Sequence, residues 1–106
     1  MKSCEFVRDD RLGIELPRLL AEWEDIAEEE QAEILACWEE IRGRIPDRII
    51  ELERSINEMQ SRLGEEENFQ RSCELNAEIA ELASRINDLN LWYRVNQEID
   101  AGKPHR

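Results

Sequence analysis

Two runs of regularly spaced apolar residues constrain the fold of this chain of 106 residues more than any other feature. In each run the intervals alternate between four and three, which is the spacing of a coiled-coil seam. The runs are Ile45, Ile49, Leu52, Ile56, Met59 and Leu63, and then Leu75, Ile79, Leu82, Ile86, Leu89 and Tyr93. Because only residues 64–68 separate them, the pattern predicts an antiparallel helical hairpin with helices near 46–63 and 68–99.

Two shorter helices are predicted before the hairpin. Their apolar residues recur at intervals of three and four: Leu16, Leu19, Leu20, Trp23 and Ile26, and then Ile34, Leu35, Trp38 and Ile41. Pro17 suits the first turn of a helix near 17–26. A second helix near 28–43 is expected to end at Gly43 in the left-handed conformation, and Ile45 is expected to form a corner before Pro46.

The predicted fold class is all-α. A chain that is 38% charged and only 6% aromatic favours long amphipathic helices over a sheet. We expect a single domain over 1–106, in which an antiparallel coiled-coil helical hairpin packs with one or two additional N-terminal helices as a small helical bundle. Its parts are an irregular arm at 1–15, acidic N-terminal helices at 16–44, the hairpin at 45–100 and a tail at 101–106. A homodimer through the uncovered heptad face is also expected.

The second apolar face of the last helix has to be covered by another part of the chain. It comprises Leu91, Trp92, Val95 and Ile99, which lie beside the heptad seam. The N-terminal helices are the expected cover, with Trp23 and Trp38 packing against the base of the hairpin. Core packing is therefore the predicted role of the tryptophans, and anchoring of a partner is the alternative.

The charge of the chain indicates its partner. With 26 acidic and 14 basic residues the net charge is -12, which opposes direct binding to nucleic acid or to an anionic membrane. Between Arg18 and Arg42 there are nine acidic residues and no basic one. A helix over 22–40 would be about 27 Å long with a charge roughly every 3 Å, close to the roughly 3.4 Å of a single nucleic-acid strand. The expected partner is a protein with a basic surface.

The predicted function is that of a non-enzymatic inhibitor, of the kind that phages and mobile elements encode, which mimics nucleic-acid charge and blocks a basic nucleic-acid-binding site. The candidate partner-binding residues are Glu22, Asp25, Glu28, Glu29, Glu30, Glu33, Glu39, Glu40, Glu65, Glu66 and Glu67. The plainer alternative is that these carboxylates form only a solvated helix face. Two other functions stay open: a homo-oligomeric coiled-coil adaptor, and an RNA polymerase-binding hairpin regulator.

The polymerase alternative follows from the acidic turn of the hairpin. Glu65, Glu66 and Glu67 at the end of two antiparallel helices resemble, in architecture alone, transcript-cleavage factors of the Gre type. Those factors present acidic residues at the tip of a helical hairpin that enters RNA polymerase. The resemblance covers about half of the chain, and the globular domain that accompanies the hairpin in that family has no counterpart here.

Catalysis is not expected. Glu29, Glu30 and Glu33 resemble the EExxE half of the signature of all-α nucleotide pyrophosphohydrolases of the MazG type, but the ExxD half is missing. The single histidine, His105, lies in the tail, so a histidine base or a histidine metal site is not supported. We therefore predict no enzyme activity, no metal and no cofactor.

Cysteine usage and hydropathy predict a cytoplasmic protein. Cys4, Cys37 and Cys73 are odd in number and far apart, which does not indicate a disulfide framework. No stretch approaches the roughly 20 apolar residues that a membrane-spanning helix needs. The chain is accordingly expected to be neither secreted nor bound to a membrane.

Overall fold

The computed structural model describes residues 2–95 and corrects the predicted fold class. Its elements in chain order are β1 (Cys4–Asp9), β2 (Ile14–Leu19), a 3-10 helical turn (Trp23–Asp25), α1 (Glu28–Arg42), α2 (Ile45–Glu65) and α3 (Phe69–Tyr93). The all-α prediction is wrong, because β1 and β2 form a two-stranded antiparallel sheet ahead of the helices. The predicted positions Ile99 and His105 and the predicted tail lie outside the described residues.

A tight turn joins the two strands and explains why they pair. The side chain of Asp9 accepts a hydrogen bond from the Leu12 backbone N–H at 2.9 Å, and the Asp9 carbonyl accepts one from the Gly13 N–H at 2.8 Å. Gly13 has a φ of 77°, in the left-handed region that glycine adopts without steric penalty. The predicted irregular arm at 1–15 is therefore β1 and this turn, followed by the first residues of β2.

The predicted helix near 17–26 is also wrong, since its first residues belong to β2. Cys4 pairs with Leu19 in the strand register, and the Leu20 N–H donates to the Ser3 carbonyl at 2.8 Å. Hydrogen-bonded and non-hydrogen-bonded pairs alternate in an antiparallel sheet. Pro17 therefore occupies a non-hydrogen-bonded position, its nitrogen faces away from β1, and the strand tolerates it.

Helices α1 and α2 form one long helix, 28–65, with a bend at residues 43–44. The Arg44 N–H bonds to the Ile41 carbonyl at 3.0 Å, a tightened turn, and Pro46 brings no N–H to the next turn. Gly43 has a φ of −64°, so the predicted left-handed ending is wrong. Ile45 is the first residue of α2 and fully buried, not a corner outside the helices. A bent helix and a strand pair thus replace the predicted bundle of N-terminal helices.

Helix α3 packs antiparallel to α2. Ile45 at the start of α2 and Tyr93 at the end of α3 border one hollow, while Met59 and Ala77 border another nearer the turn. The turn is closed by Asn68, whose side-chain oxygen accepts a hydrogen bond from the Arg71 N–H at 2.9 Å and caps α3. This pair of helices forms the long dimension of the molecule.

The core lies where the strands, the bend and the end of α3 meet. Its main cluster of buried residues is Leu12, Ile14, Trp38, Ile41, Ile45, Leu52 and Leu89. A smaller cluster joins Cys4 of β1 to Ile26 and Ile34. Every element contributes to this region, the 3-10 turn through Trp23 and α3 through its second half, so the core positions the surfaces described below.

Arg11, at the tip of the strand turn, attaches the sheet to α3. Its guanidinium donates to Glu81 at 3.0 Å, to Asp88 at 2.7 Å and to the Ser84 hydroxyl at 2.8 Å. The hydrogen bonds to Asp88 and Glu81 raise the pKa of Arg11, and the bond to Asp88 has the larger effect. Among the helices of residues 2–95, none is long and apolar enough to cross a membrane.

Candidate functional site

The solvent side of α1 carries the acidic residues that the sequence singled out. Ile34, Trp38 and Ile41 are its buried positions. At about 100° per residue, Glu29 falls on the opposite side of the helix and Glu33 on its flank, and both are exposed. The same fold that buries the apolar stripe of α1 therefore presents these carboxylates to solvent.

Seven of the predicted residues have no charge partner among the described residues: Glu65 and Glu67 lie in the turn, and the other five lie before α1 or within it. Over residues 2–95 the structure gives no hydrogen bond or ion pair to the side chains of these five: Glu22, Asp25, Glu28, Glu29 and Glu33. Most acids on the other helices are paired, as Glu58 is with Arg62 at 2.9 Å and Glu81 with Arg85 at 3.2 Å. Unpaired negative charge is thus concentrated before α1 and in its first half.

Three other predicted residues have partners within the molecule. The Glu30 carboxylate accepts hydrogen bonds from the Ser3 backbone N–H at 2.7 Å and the Ser3 hydroxyl at 3.2 Å. The backbone bond is the main reason that the pKa of Glu30 is lowered. Glu39 pairs with Arg42 at 2.9 Å and Glu40 with Arg44 at 3.7 Å. Glu30 in particular holds the N-terminal segment against α1.

The acidic turn is remote from α1. Glu65 ends α2, Glu67 is exposed, and the half-buried Glu66 accepts a hydrogen bond from the Asn68 N–H at 3.2 Å. The 21 residues of α2 separate this turn from α1 by roughly 30 Å at 1.5 Å per residue. The structure therefore does not bring the two predicted groups of acids together.

A groove that the sequence analysis did not anticipate lies beside α1. It encloses a cavity of about 230 Å³ between β2, the 3-10 turn, α1 and the end of α3. Its lining is apolar: Pro17, Leu19, Trp23, Ile34, Leu35, Trp38, Trp92 and Val95. All three tryptophans of the chain are in this set. We call it the tryptophan groove.

The tryptophans of the groove combine packing with partial exposure. Trp38 is only 1% exposed and meets Trp92 edge to face, with ring centroids 5.8 Å apart. Trp23 and Trp92 are half-buried. The indole N–H of Trp38 is buried and has no acceptor among the described residues. Part of the wall is therefore core, as predicted, while the rest faces the groove.

Acidic residues border the groove on two sides. Glu22 and Glu24 flank Trp23 in the chain, and both are exposed. On α1, Leu35 follows Glu28 by seven residues, so the two share one side of the helix. Two cations also adjoin lining residues: Arg18 on β2, which is paired with Glu5 at 3.4 Å, and Arg94, which is exposed and precedes Val95. The border of the groove thus has a negative charge.

No disulfide joins the three cysteines. Cys4 is buried with Ile26 and Ile34, and this burial is the main cause that raises the pKa of its thiol. Cys37 is half-buried and Cys73 exposed. No group of three or more His, Cys, Asp or Glu side chains within 2–95 is placed to hold a metal ion.

The sequence indicates the acids but not the groove, because the apolar spacing around two lining residues, Pro17 and Leu19, predicts a helix. Only the clustering of Trp23 and Trp38 with other large apolar residues pointed to that region. Comparison of the chain with protein-family models, with curated proteins and with solved structures finds no match.

Proposed function

We propose that the protein is a non-enzymatic binding protein whose acidic surface docks on a basic surface of another protein and competes there with nucleic acid. The acidic surface is defined as Glu22, Asp25, Glu28, Glu29 and Glu33. The observation that carries the proposal is that these five exposed side chains have no intramolecular partner within 2–95.

Helix stability alone does not account for this concentration of charge. Acidic residues in a first helical turn are favoured by the helix dipole, which explains Glu28 and Glu29. Glu33 lies beyond the first turn, and Glu22 precedes α1 altogether. An ordinary exposed helix also gains from an opposite charge four residues away, whereas here Glu29 and Glu33 are like charges at that spacing.

Such a surface fits a site built to hold phosphates. Lysine and arginine side chains that line a nucleic-acid channel attract closely spaced carboxylates by the same long-range force. The attraction speeds the encounter and is screened by salt. A protein bound in this way would exclude nucleic acid from the channel.

The test is capture of binding proteins from a cell extract on the immobilised full chain at about 0.1 M salt, followed by elution with duplex DNA. We expect DNA to release a nucleic-acid-binding protein. The double variant Glu29→Lys with Glu33→Lys should lose this capture, because the charge of the surface is reversed.

The matched control is Glu53→Lys, since Glu53 is an exposed acid within α2 that has no partner in the described part of the chain. This variant should capture the same protein. Capture that survives the double reversal on α1 would refute the proposal, as would a partner that DNA does not release.

A further inference from the structure

We infer that the tryptophan groove binds one large apolar side chain of a peptide segment flanked by lysine or arginine, which the basic partner supplies. The inference rests on the proposed function, because it assigns to the same partner a second, apolar contact next to the acidic surface. The anchor is a leucine or phenylalanine with cationic neighbours.

The size of the groove supports a single side chain as its occupant. Its 230 Å³ fall below the roughly 300–1,000 Å³ of pockets that hold drug-sized ligands or cofactors. The lining offers aromatic and aliphatic surface from Trp23, Leu35 and Trp92. Anchors of this kind, seated in well-packed pockets, dominate the energy of many protein interfaces.

The charges around the groove determine which residues can flank the anchor. Glu22 and Glu24 adjoin the lining residue Trp23, Glu28 lies on the Leu35 side of α1, and none of the three has a partner in the structure of 2–95. Of the neighbouring cations, Arg18 is neutralised by Glu5 and Arg94 adjoins the lining residue Val95, so the acids outnumber the cations. A segment with acidic residues beside its anchor would be repelled. Lysine or arginine at those positions would complement the border.

The wall of the groove also contains an unused hydrogen-bond donor. The Trp38 ring lines the groove, and its indole N–H is buried without an acceptor among the described residues. Buried donors in native proteins normally have a partner. This N–H has no accessible surface, however, so it lies behind the wall and not in the groove, and a bound peptide would reach it only if the Trp38 ring moved.

The first experiment titrates the full chain with three short synthetic peptides. One has a central leucine flanked by two lysines on each side, the second replaces leucine by serine, and the third replaces the lysines by glutamates. Intrinsic tryptophan fluorescence reports occupancy directly, since every tryptophan of the chain lines the groove. We expect a saturable shift with the first peptide, binding at least tenfold weaker with the second, and none with the third.

Variants locate the binding. Leu19→Ser and Leu35→Ser alter lining residues that belong to neither core cluster, so the fold should be kept, as circular dichroism would verify. Each variant should bind the leucine peptide at least fivefold more weakly than the unmodified chain does. Ile50→Ser is the control, because Ile50 is 45% exposed, as Leu19 is 44% exposed, but it borders a different hollow.

Several results would overturn the inference. Equal binding of the leucine and serine peptides would leave only the charge contact, so the proposed function would stand without the anchor. A dimer that Leu19→Ser converts to a monomer would identify a second copy as the occupant. If the Ile99→Ser variant binds the leucine peptide and the unmodified chain does not, the occupant of the groove is the chain's own C-terminal segment. A separate result would refute the proposed function itself: the double variant Glu29→Lys with Glu33→Lys captures the same protein from the extract as the unmodified chain does.

Discussion

Three adjacent glutamates, Glu28, Glu29 and Glu30, have different surroundings although the sequence presents them as one run. The first two are exposed and have no partner in the described structure, whereas the Glu30 carboxylate accepts two hydrogen bonds from Ser3. The contact spans 27 positions of the chain. Position along α1 therefore decides which carboxylate can bind a partner and which one fastens the N-terminal segment.

Replacing Glu30 by glutamine should change how stability depends on pH. The Ser3 bonds lower the pKa of Glu30 below its ordinary 4.5, so its ionised form favours the folded state. That contribution is complete above the ordinary pKa and is lost as pH falls through the lower, folded pKa. We expect Glu30→Gln to lower the melting temperature near neutral pH and to flatten its decline below about pH 5.

Thermal unfolding followed by circular dichroism between pH 7 and pH 3 would measure this effect. Glu33→Gln is the control, because Glu33 is exposed and has no partner within the described residues. Its melting curve should follow that of the unmodified chain. Parallel declines for Glu30→Gln and the unmodified chain would show that the Ser3 contact contributes nothing.

At the scale of elements, α3 depends on its N-terminal cap. Asn68 has an extended backbone and accepts a hydrogen bond from the Arg71 N–H at 2.9 Å. Asn68→Ala removes this bond and should reduce the free energy of unfolding by about 1 kcal/mol. Urea denaturation would measure the change.

A second asparagine gives the opposite expectation. Asn57 is exposed in the middle of α2 and makes no side-chain hydrogen bond within 2–95. Alanine is the better helix former, so Asn57→Ala should leave stability unchanged or raise it by a few tenths of a kcal/mol. Equal losses in the two variants would contradict the capping role of Asn68.

The helices were predictable because their apolar periodicity is long and interrupted at clear signals. Helices expected near 28–43 and 46–63 are found at 28–42 and 45–65, whereas the last helix, expected near 68–99, is found at 69–93 and so ends earlier than predicted. A left-handed helix ending was expected at Gly43, but the backbone there keeps right-handed helical angles. Local sequence shows that a helix is interrupted but not whether it resumes in nearly the same direction.

The strands were not predictable for a specific reason. Phe6 and Leu16 lie on opposite faces of the sheet by its register, yet both pack against the main core. A strand pair buried on two faces loses the apolar-polar alternation that would reveal it. Leu16, Leu19 and Leu20 also imitate helical spacing, and the groove that depends on this strand was missed with it.

The whole molecule is elongated, with dimensions of 59 × 28 × 20 Å. The acidic surface and the tryptophan groove lie at the end where the strands meet the bend, and the turn with Glu67 lies at the other end. A partner of ordinary size can therefore contact the surface and the groove together without reaching the turn. Charge and apolar contact should then act on different steps of binding.

Kinetics can separate the two contacts once a partner has been released by DNA. Raising salt from about 0.05 to 0.5 M should slow association at least tenfold and change dissociation little, because screening acts on the encounter. Leu35→Ser should instead speed dissociation, since the anchor determines residence time. Surface plasmon resonance would measure both rates. Salt-independent association would contradict electrostatic steering.

Pro17 has a consequence for the solubility of the protein. At the non-hydrogen-bonded positions of β2, the backbone N–H and C=O groups point away from β1 and toward the outer edge of the sheet. Pro17 is the central one of these positions and has no N–H, so the edge lacks that donor. A foreign strand that tried to continue the sheet on this side would find a gap in the ladder of bonds. Proline at an edge is one of the ways in which natural sheets avoid fibril growth. The short sheet is thereby protected on this side from serving as a template for polymerisation.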